Sequence, residues 1–117
     1  MVRYLPVFPG YVFTRLDPDQ RREVLRTQMI VRTIEVSEPR KMIHQLRQIA
    51  HAERLPADLR EVQSFSVGEH VRMKSGPFRG IDGYVQRGNG KMSLVLVLEI
   101  LGRAVEVSVN PLDVEKA

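Results

Sequence analysis

Two hydrophobic rhythms divide this chain. Up to about residue 55, apolar residues fall into short β-branched runs or recur at helical spacing. From Phe65 onward they alternate with polar residues. In the first part, Tyr11-Val12-Phe13-Thr14 is rich in β-formers and predicts a strand over 11–16. Asp17-Pro18 then reads as a helix start, with the carboxylate as cap and proline at the first helical position. That helix should run to about Gln28 with Val24 and Leu25 on its inner face, and Met29 to Val36 should form a second strand. Ser37-Glu38-Pro39 opens another helix. Its inner positions are Met42, Ile43, Leu46, Ile49 and Ala50, and Pro56 ends it.

Residues 56–64 are polar with few apolar anchors and read as a linker. Beyond them Val71 and Met73 alternate with Arg72 and Lys74, and Gly76-Pro77-Phe78-Arg79-Gly80 is a loop. Gly83 to Arg87 is a short strand, Gly88-Asn89-Gly90 a strong turn signal, and Lys91 to Leu101 a long strand. Val105, Val107 and Val109 alternate with Glu106 and Ser108; Asn110-Pro111 breaks that strand, and Leu112 and Val114 begin a last one. Short strands with a turn signal about every ten residues predict a small SH3-like barrel over 65–117. The fold class expected is therefore α+β, in two small units.

With 117 residues, two such units would each have a thin core. There is no cysteine, so disulfides and thiolate metal sites are excluded, and a reducing, cytoplasmic setting fits. The longest apolar run, Leu94 to Leu98, is far too short to cross a bilayer, and no membrane role is expected. The net charge of +4 is unevenly placed. Residues 1–60 hold eleven Lys/Arg against seven Asp/Glu, whereas residues 61–117 hold seven of each. A basic half joined to a neutral half fits one part lying near an acidic polymer and the other meeting something else; it equally fits a merely solvated basic surface.

Catalysis finds little support. His44 and His51 are seven apart on one helix, too far for the four-residue pairing of a helical zinc site, and His70 has no carboxylate in a metal-binding pattern beside it. No glycine-rich loop opens a helix to cradle phosphate, and no Ser or Thr stands in a nucleophile elbow. The chain is expected to be a binding protein without cofactor or metal.

Four of the seven aromatics lie between Tyr4 and Leu16. In a strand, Tyr11 and Phe13 share one face and Val12 takes the other. If Val12 faces the local core, Phe8, Tyr11 and Phe13 form an exposed apolar patch of the kind that marks a protein interface; the opposite arrangement makes Tyr11 and Phe13 the core. Val7-Phe8-Pro9-Gly10-Tyr11-Val12-Phe13 is similar to the Leu-Phe-Pro-Gly-Tyr-Val-Phe signature of the NGN domain of NusG-type transcription elongation factors, departing in Val7. The resemblance implies that Phe8, Tyr11 and Phe13 grip the clamp of the largest subunit of RNA polymerase.

Val67 to Val85 resembles the KOW motif of the same family, and Ile100 to Val107 resembles the Gly-Arg-Ala strand pair that follows it. Gly80 and Gly83 permit tight turns, and Val71 and Val85 pack inward. Phe78 is then held at a loop tip. The resemblance implies that Phe78, with Arg79 and Ile81, docks on a partner protein, either a ribosomal protein or a termination factor; Phe78 capping one end of the barrel is the other arrangement. KOW modules also occur in ribosome-associated RNA-binding proteins. That alternative would place basic residues on the barrel, yet this half is neutral by count.

A third feature is a stripe on the second helix. Arg40, His44, Arg47, His51 and Arg54 follow at spacings of four, three, four and three, and so share a face opposite Leu46 and Ile49. Arg21, Arg22 and Arg26 add charge on the first helix. Such a face contacts phosphates without reading sequence, or is simply solvated.

Taken with the resemblance, the expected organisation is a partial NGN α/β sandwich over 1–55, a linker at 56–64 and a KOW SH3-like barrel over 65–117. A complete NGN domain begins roughly forty residues earlier, so the first elements are expected to be missing. The remaining edge would be open to self-association. The expected function is transcription elongation or antitermination.

Overall fold

The computed structural model describes residues 8–30, 32–55, 58–62, 68–88 and 90–117. Pro6 and Val7 of the aromatic segment, Pro56, Phe65 and Val67, and Asn89 of the glycine turn lie outside the described residues. The chain divides into two units, 1–37 and 38–117.

In the first unit the helix α1 spans Pro18–Arg26. Asp17 accepts a hydrogen bond from the amide of Gln20 at 2.8 Å, and the Gln20 side chain returns one to the Asp17 amide at 3.0 Å, a complete capping box. The helix stops short of the expected Gln28, because Thr27 is its C-cap and Gln28 takes a left-handed φ of 58°. No residue of α1 is buried. Arg21 ties it to Thr33, with nitrogens 2.8 and 3.2 Å from the hydroxyl.

The strand expected over 11–16 is not formed, and residues 30 and 32–36 of the second expected strand are irregular as well. Residues 11–17 run outside any sheet, and β-branched residues alone do not make a strand without a neighbour to take their backbone hydrogen bonds.

The second unit begins with α2, Pro39–Glu53, as the proline start predicts. Six strands follow: β1 (Arg60–Val62), β2 (His70–Met73), β3 (Asp82–Gly88), β4 (Lys91–Leu98), β5 (Arg103–Val109) and β6 (Val114–Lys116). All pairings are antiparallel, in the spatial order β1-β5-β4-β3-β2-β6. The protein is therefore α+β, with two helices and one six-stranded sheet in the described residues. The sheet as paired is open, with β1 and β6 at its edges.

Two boundaries differ from expectation. Within the span read as linker, β1 pairs with β5, placing Arg60 opposite Glu106 and Val62 opposite Ala104. The long strand ends at Leu98, where Glu99–Leu101 forms a 3₁₀ turn closed by Gly102 at φ 60°.

The pleat sorts the core. Val71, Met73, Met92, Leu94, Leu96, Leu98, Val105 and Val107 lie on one face and are buried. Each such side chain contributes about 1.5–3 kcal/mol through burial. The other face carries Tyr84, Val95, Val97 and Ala104, with Val95 and Ala104 fully buried. This face is where α2 belongs, since the helix packs on β4 and buries Ile49 and Ala52. Sequence placed α2 with the first half of the chain. The structure places it with the sheet, because β4 is apolar on both faces and its second face needs a cover. A 15-residue helix is itself marginal without such a surface.

The helix is also rotated relative to the expected inner face. Ile43 and Ala50 are exposed, whereas Ala52 is buried and Gln45 and Gln48 are half-buried.

Candidate functional site

In the first unit, Gly10 at φ 89° turns the chain after Phe8, and the Tyr11 amide donates to the Phe8 carbonyl at 3.3 Å. This turn separates the three expected contact aromatics. Phe8 is buried, Tyr11 half-buried, and Phe13 exposed at 38%. Val12, which faces inward in one of the two arrangements, is 82% exposed. Neither of the two face arrangements applies, because with no strand there is no alternation to sort Tyr11, Val12 and Phe13. What the segment presents is Val12, Phe13 and Leu16, the last 36% exposed.

The loop between β2 and β3 folds back on the sheet. The Gly80 amide donates to the Met73 carbonyl and the Met73 amide to the Ile81 carbonyl, both at 2.9 Å. Gly76 and Gly80 supply left-handed φ values of 79° and 89°. The consequence is that Phe78 is 5% exposed and Ile81 fully buried. Of the three residues expected to meet a partner protein, two are core and only Arg79 is exposed. Phe78 is buried because the tight turn carries its ring inward.

Arg40, His44, Arg47, His51 and Arg54 are all exposed on α2, as the spacing requires. Arg40, Arg47 and Arg54 form no ion pair among the described residues. On α1, by contrast, Arg22 pairs with Asp19, and Arg26 with Glu23 at 3.2 Å. His44 leaves the stripe: its Nε2 lies 3.4 Å from Oδ1 of Asp82 on β3.

Asp82 centres a polar cluster in the groove between α2 and the sheet, and no sequence signal disclosed it. Gln48 donates from Nε2 to the Asp82 carbonyl at 3.1 Å and also to its carboxylate. Oδ2 of Asp82 is 2.8 Å from Nε2 of His70, whose ring stacks on Tyr84 with centroids 5.2 Å apart. Partial burial alone would raise the Asp82 pKa. The hydrogen bond from His70 and the charges of His44 and His70 outweigh that and hold it below the usual aspartate value. Nearby, Lys41 pairs with Glu99 at 2.7 Å, and this hydrogen bond and charge keep the lysine above its ordinary pKa. Gln45 accepts a hydrogen bond from the Glu99 amide at 3.1 Å.

His44 and Gln48 stand one turn apart on α2, a pairing legible in the sequence. That Asp82 and His70 would meet them was not, since only the docking of α2 brings them together. No group of three His, Cys, Asp or Glu able to hold a metal ion occurs among the described residues. No described helix is long and apolar enough to cross a membrane.

No protein-family model, no curated protein and no solved structure matches this chain.

Proposed function

We propose that this chain is a NusG-like transcription elongation or antitermination factor, acting in the cytoplasm as a binding protein rather than an enzyme. Its first part binds the clamp of RNA polymerase, and its sheet recruits a second protein, a ribosomal protein or termination factor. The observation that carries the reading is the Phe8-to-Phe13 run, with its NGN-like residues and the exposed apolar side chains of Val12 and Phe13. The strand order supports the finer architecture. β2, β3, β4 and β5 form a meander and β6 returns to β2, a connectivity suited to an SH3-like KOW module. The NGN-like part then rests on residues 8–37, since α2 covers the sheet.

The corrected exposure changes which residues do the binding. Phe13 and Val12 make the polymerase contact, while Phe8 shapes the turn from inside. The second partner meets Arg79 and the surface around it rather than the Phe78 ring. The free cations of α2 lie along nucleic acid near the polymerase.

The test is co-elution of the full chain with core RNA polymerase on a sizing column, beside a Val12→Ser/Phe13→Ser variant. Both positions are exposed, so the variant should stay folded. Loss of co-elution in the variant alone supports the reading. A wild-type chain that does not co-elute, or a variant that co-elutes equally, overturns it.

A further inference from the structure

Helix α1 lacks the packing that a helix of its length needs. It has nine residues and none is buried, whereas an isolated helix shorter than about 12–15 residues is marginal in water. Leu25 is exposed on it, and Leu16 and Met29 are exposed just beyond its two ends. Among the described residues, the concavity beside α1 is lined only by positions between Leu16 and Arg26. The rest of the described chain leaves this face of the helix open.

The charges on that face form a pattern. Asp19, Arg22, Glu23 and Arg26 all line the concavity, at spacings of three, one and three. Their signs along the helix are minus, plus, minus, plus. Arg22 pairs with Asp19, and Arg26 with Glu23 at 3.2 Å, yet all four side chains stay between 70% and 86% exposed. The other two charges of the segment are engaged elsewhere: Asp17 accepts from the Gln20 amide, and Arg21 donates to Thr33. Reversed, the pattern runs plus, minus, plus, minus. It is therefore complementary to itself in antiparallel order.

We propose that α1 is a homodimerisation helix, whose Asp19-Arg22-Glu23-Arg26 face packs antiparallel against the same face of a second copy of this chain. The two-fold axis passes between Arg22 and Glu23. Asp19 then meets Arg26 of the second copy, and Arg22 meets its Glu23, so the intrahelical pairs join into one ladder of alternating charge. Two parallel helices in register would set like charges together. Antiparallel packing also places the positive dipole end of each helix beside the negative end of the other. It brings Leu16 to the same end as Met29 of the second copy, where two exposed apolar side chains can cover each other. The inference does not rest on the polymerase reading, which uses Val12 and Phe13.

The dimer is weak and sensitive to salt. Exposed ion pairs each contribute little, and a helix about 14 Å long covers less than the ~1,200 Å² of a stable complex.

Sedimentation equilibrium of the full chain, from micromolar to millimolar concentration, tests it. The average mass should rise towards that of a dimer, and should rise less at high salt. Asp19→Lys alone and Arg26→Glu alone each set like charges opposite one another twice per dimer, and should weaken self-association about tenfold. An equal mixture of the two variants pairs opposite charges again, so it should associate as the wild type does. The Asp19→Lys/Arg26→Glu chain should self-associate more tightly than either single variant, which separates lost complementarity from lost structure. A wild-type chain that stays monomeric to millimolar concentration overturns the proposal. So do single variants that dimerise as well as the wild type, or a mixture and a double variant no better than the single ones.

Discussion

Replacing Gly83 by alanine tests whether β3 and β4 meet as closely as described. A Cβ at this position would lie 2.7 Å from the Val95 carbonyl oxygen, 3.0 Å from a Leu96 methyl and 3.1 Å from a Leu94 methyl. The leucines could shift, but the Val95 carbonyl belongs to the β4 backbone, which cannot retreat without parting the two strands. Overpacking of this kind costs about 1–3 kcal/mol. Against it stands the smaller entropy of the unfolded alanine chain, about 0.4–1 kcal/mol. The net loss should be about 1–2 kcal/mol. With a urea dependence of about 1–3 kcal/mol per molar, the unfolding midpoint should fall by roughly 1 M. Gly80→Ala is the comparison: nothing lies within 4 Å of its Cβ, but φ is 89°, so its cost of about 1–2 kcal/mol comes from backbone strain alone. Leu96→Ala in the Gly83→Ala background should give no rescue, because the carbonyl remains. A Gly83→Ala midpoint at or above that of the wild type would refute the close approach.

Phe78→Ala should cost about 3–5 kcal/mol by urea unfolding, because the ring is core; a neutral effect would return Phe78 to the surface role first expected for it. The lowered pKa of Asp82 means that its contribution is present above the ordinary aspartate value and is lost as pH falls through the folded value. Asp82→Asn should therefore flatten the stability profile below about pH 4, read from thermal unfolding at closely spaced pH values. Arg40→Gln/Arg47→Gln/Arg54→Gln should weaken binding to duplex DNA of arbitrary sequence. It should also reduce the slope of log affinity against log salt by about 2–3, measured by fluorescence anisotropy; an unchanged slope would leave the stripe a solvated face.

Elements whose rules are local were legible from the residues. Asp17-Pro18 fixed the start of α1 and Pro39 that of α2, because caps and proline act within one turn. The meander from β2 to β5 followed from period-two alternation and glycine turns. The exposure of the Arg40-to-Arg54 stripe followed from helical spacing. Failures came where a local preference needed a distant partner. Tyr11 to Leu16 has strand composition but no strand to pair with among the described residues, and Phe78 has a loop sequence but a turn that points its ring inward.

The sequence by itself determined the α+β class, the helix starts, the core-facing valines and leucines of the sheet, and the charge imbalance between the two halves. Each is set by residues within a few positions of one another. Tertiary structure alone decided that α2 belongs to the sheet, that residues 60–62 are an edge strand, and that His44, Gln48, His70 and Asp82 share one groove. These depend on which apolar face is left uncovered when the sheet forms. β4 exposes a second apolar face, α2 covers it, and that packing carries Gln48 across 34 positions of sequence to Asp82.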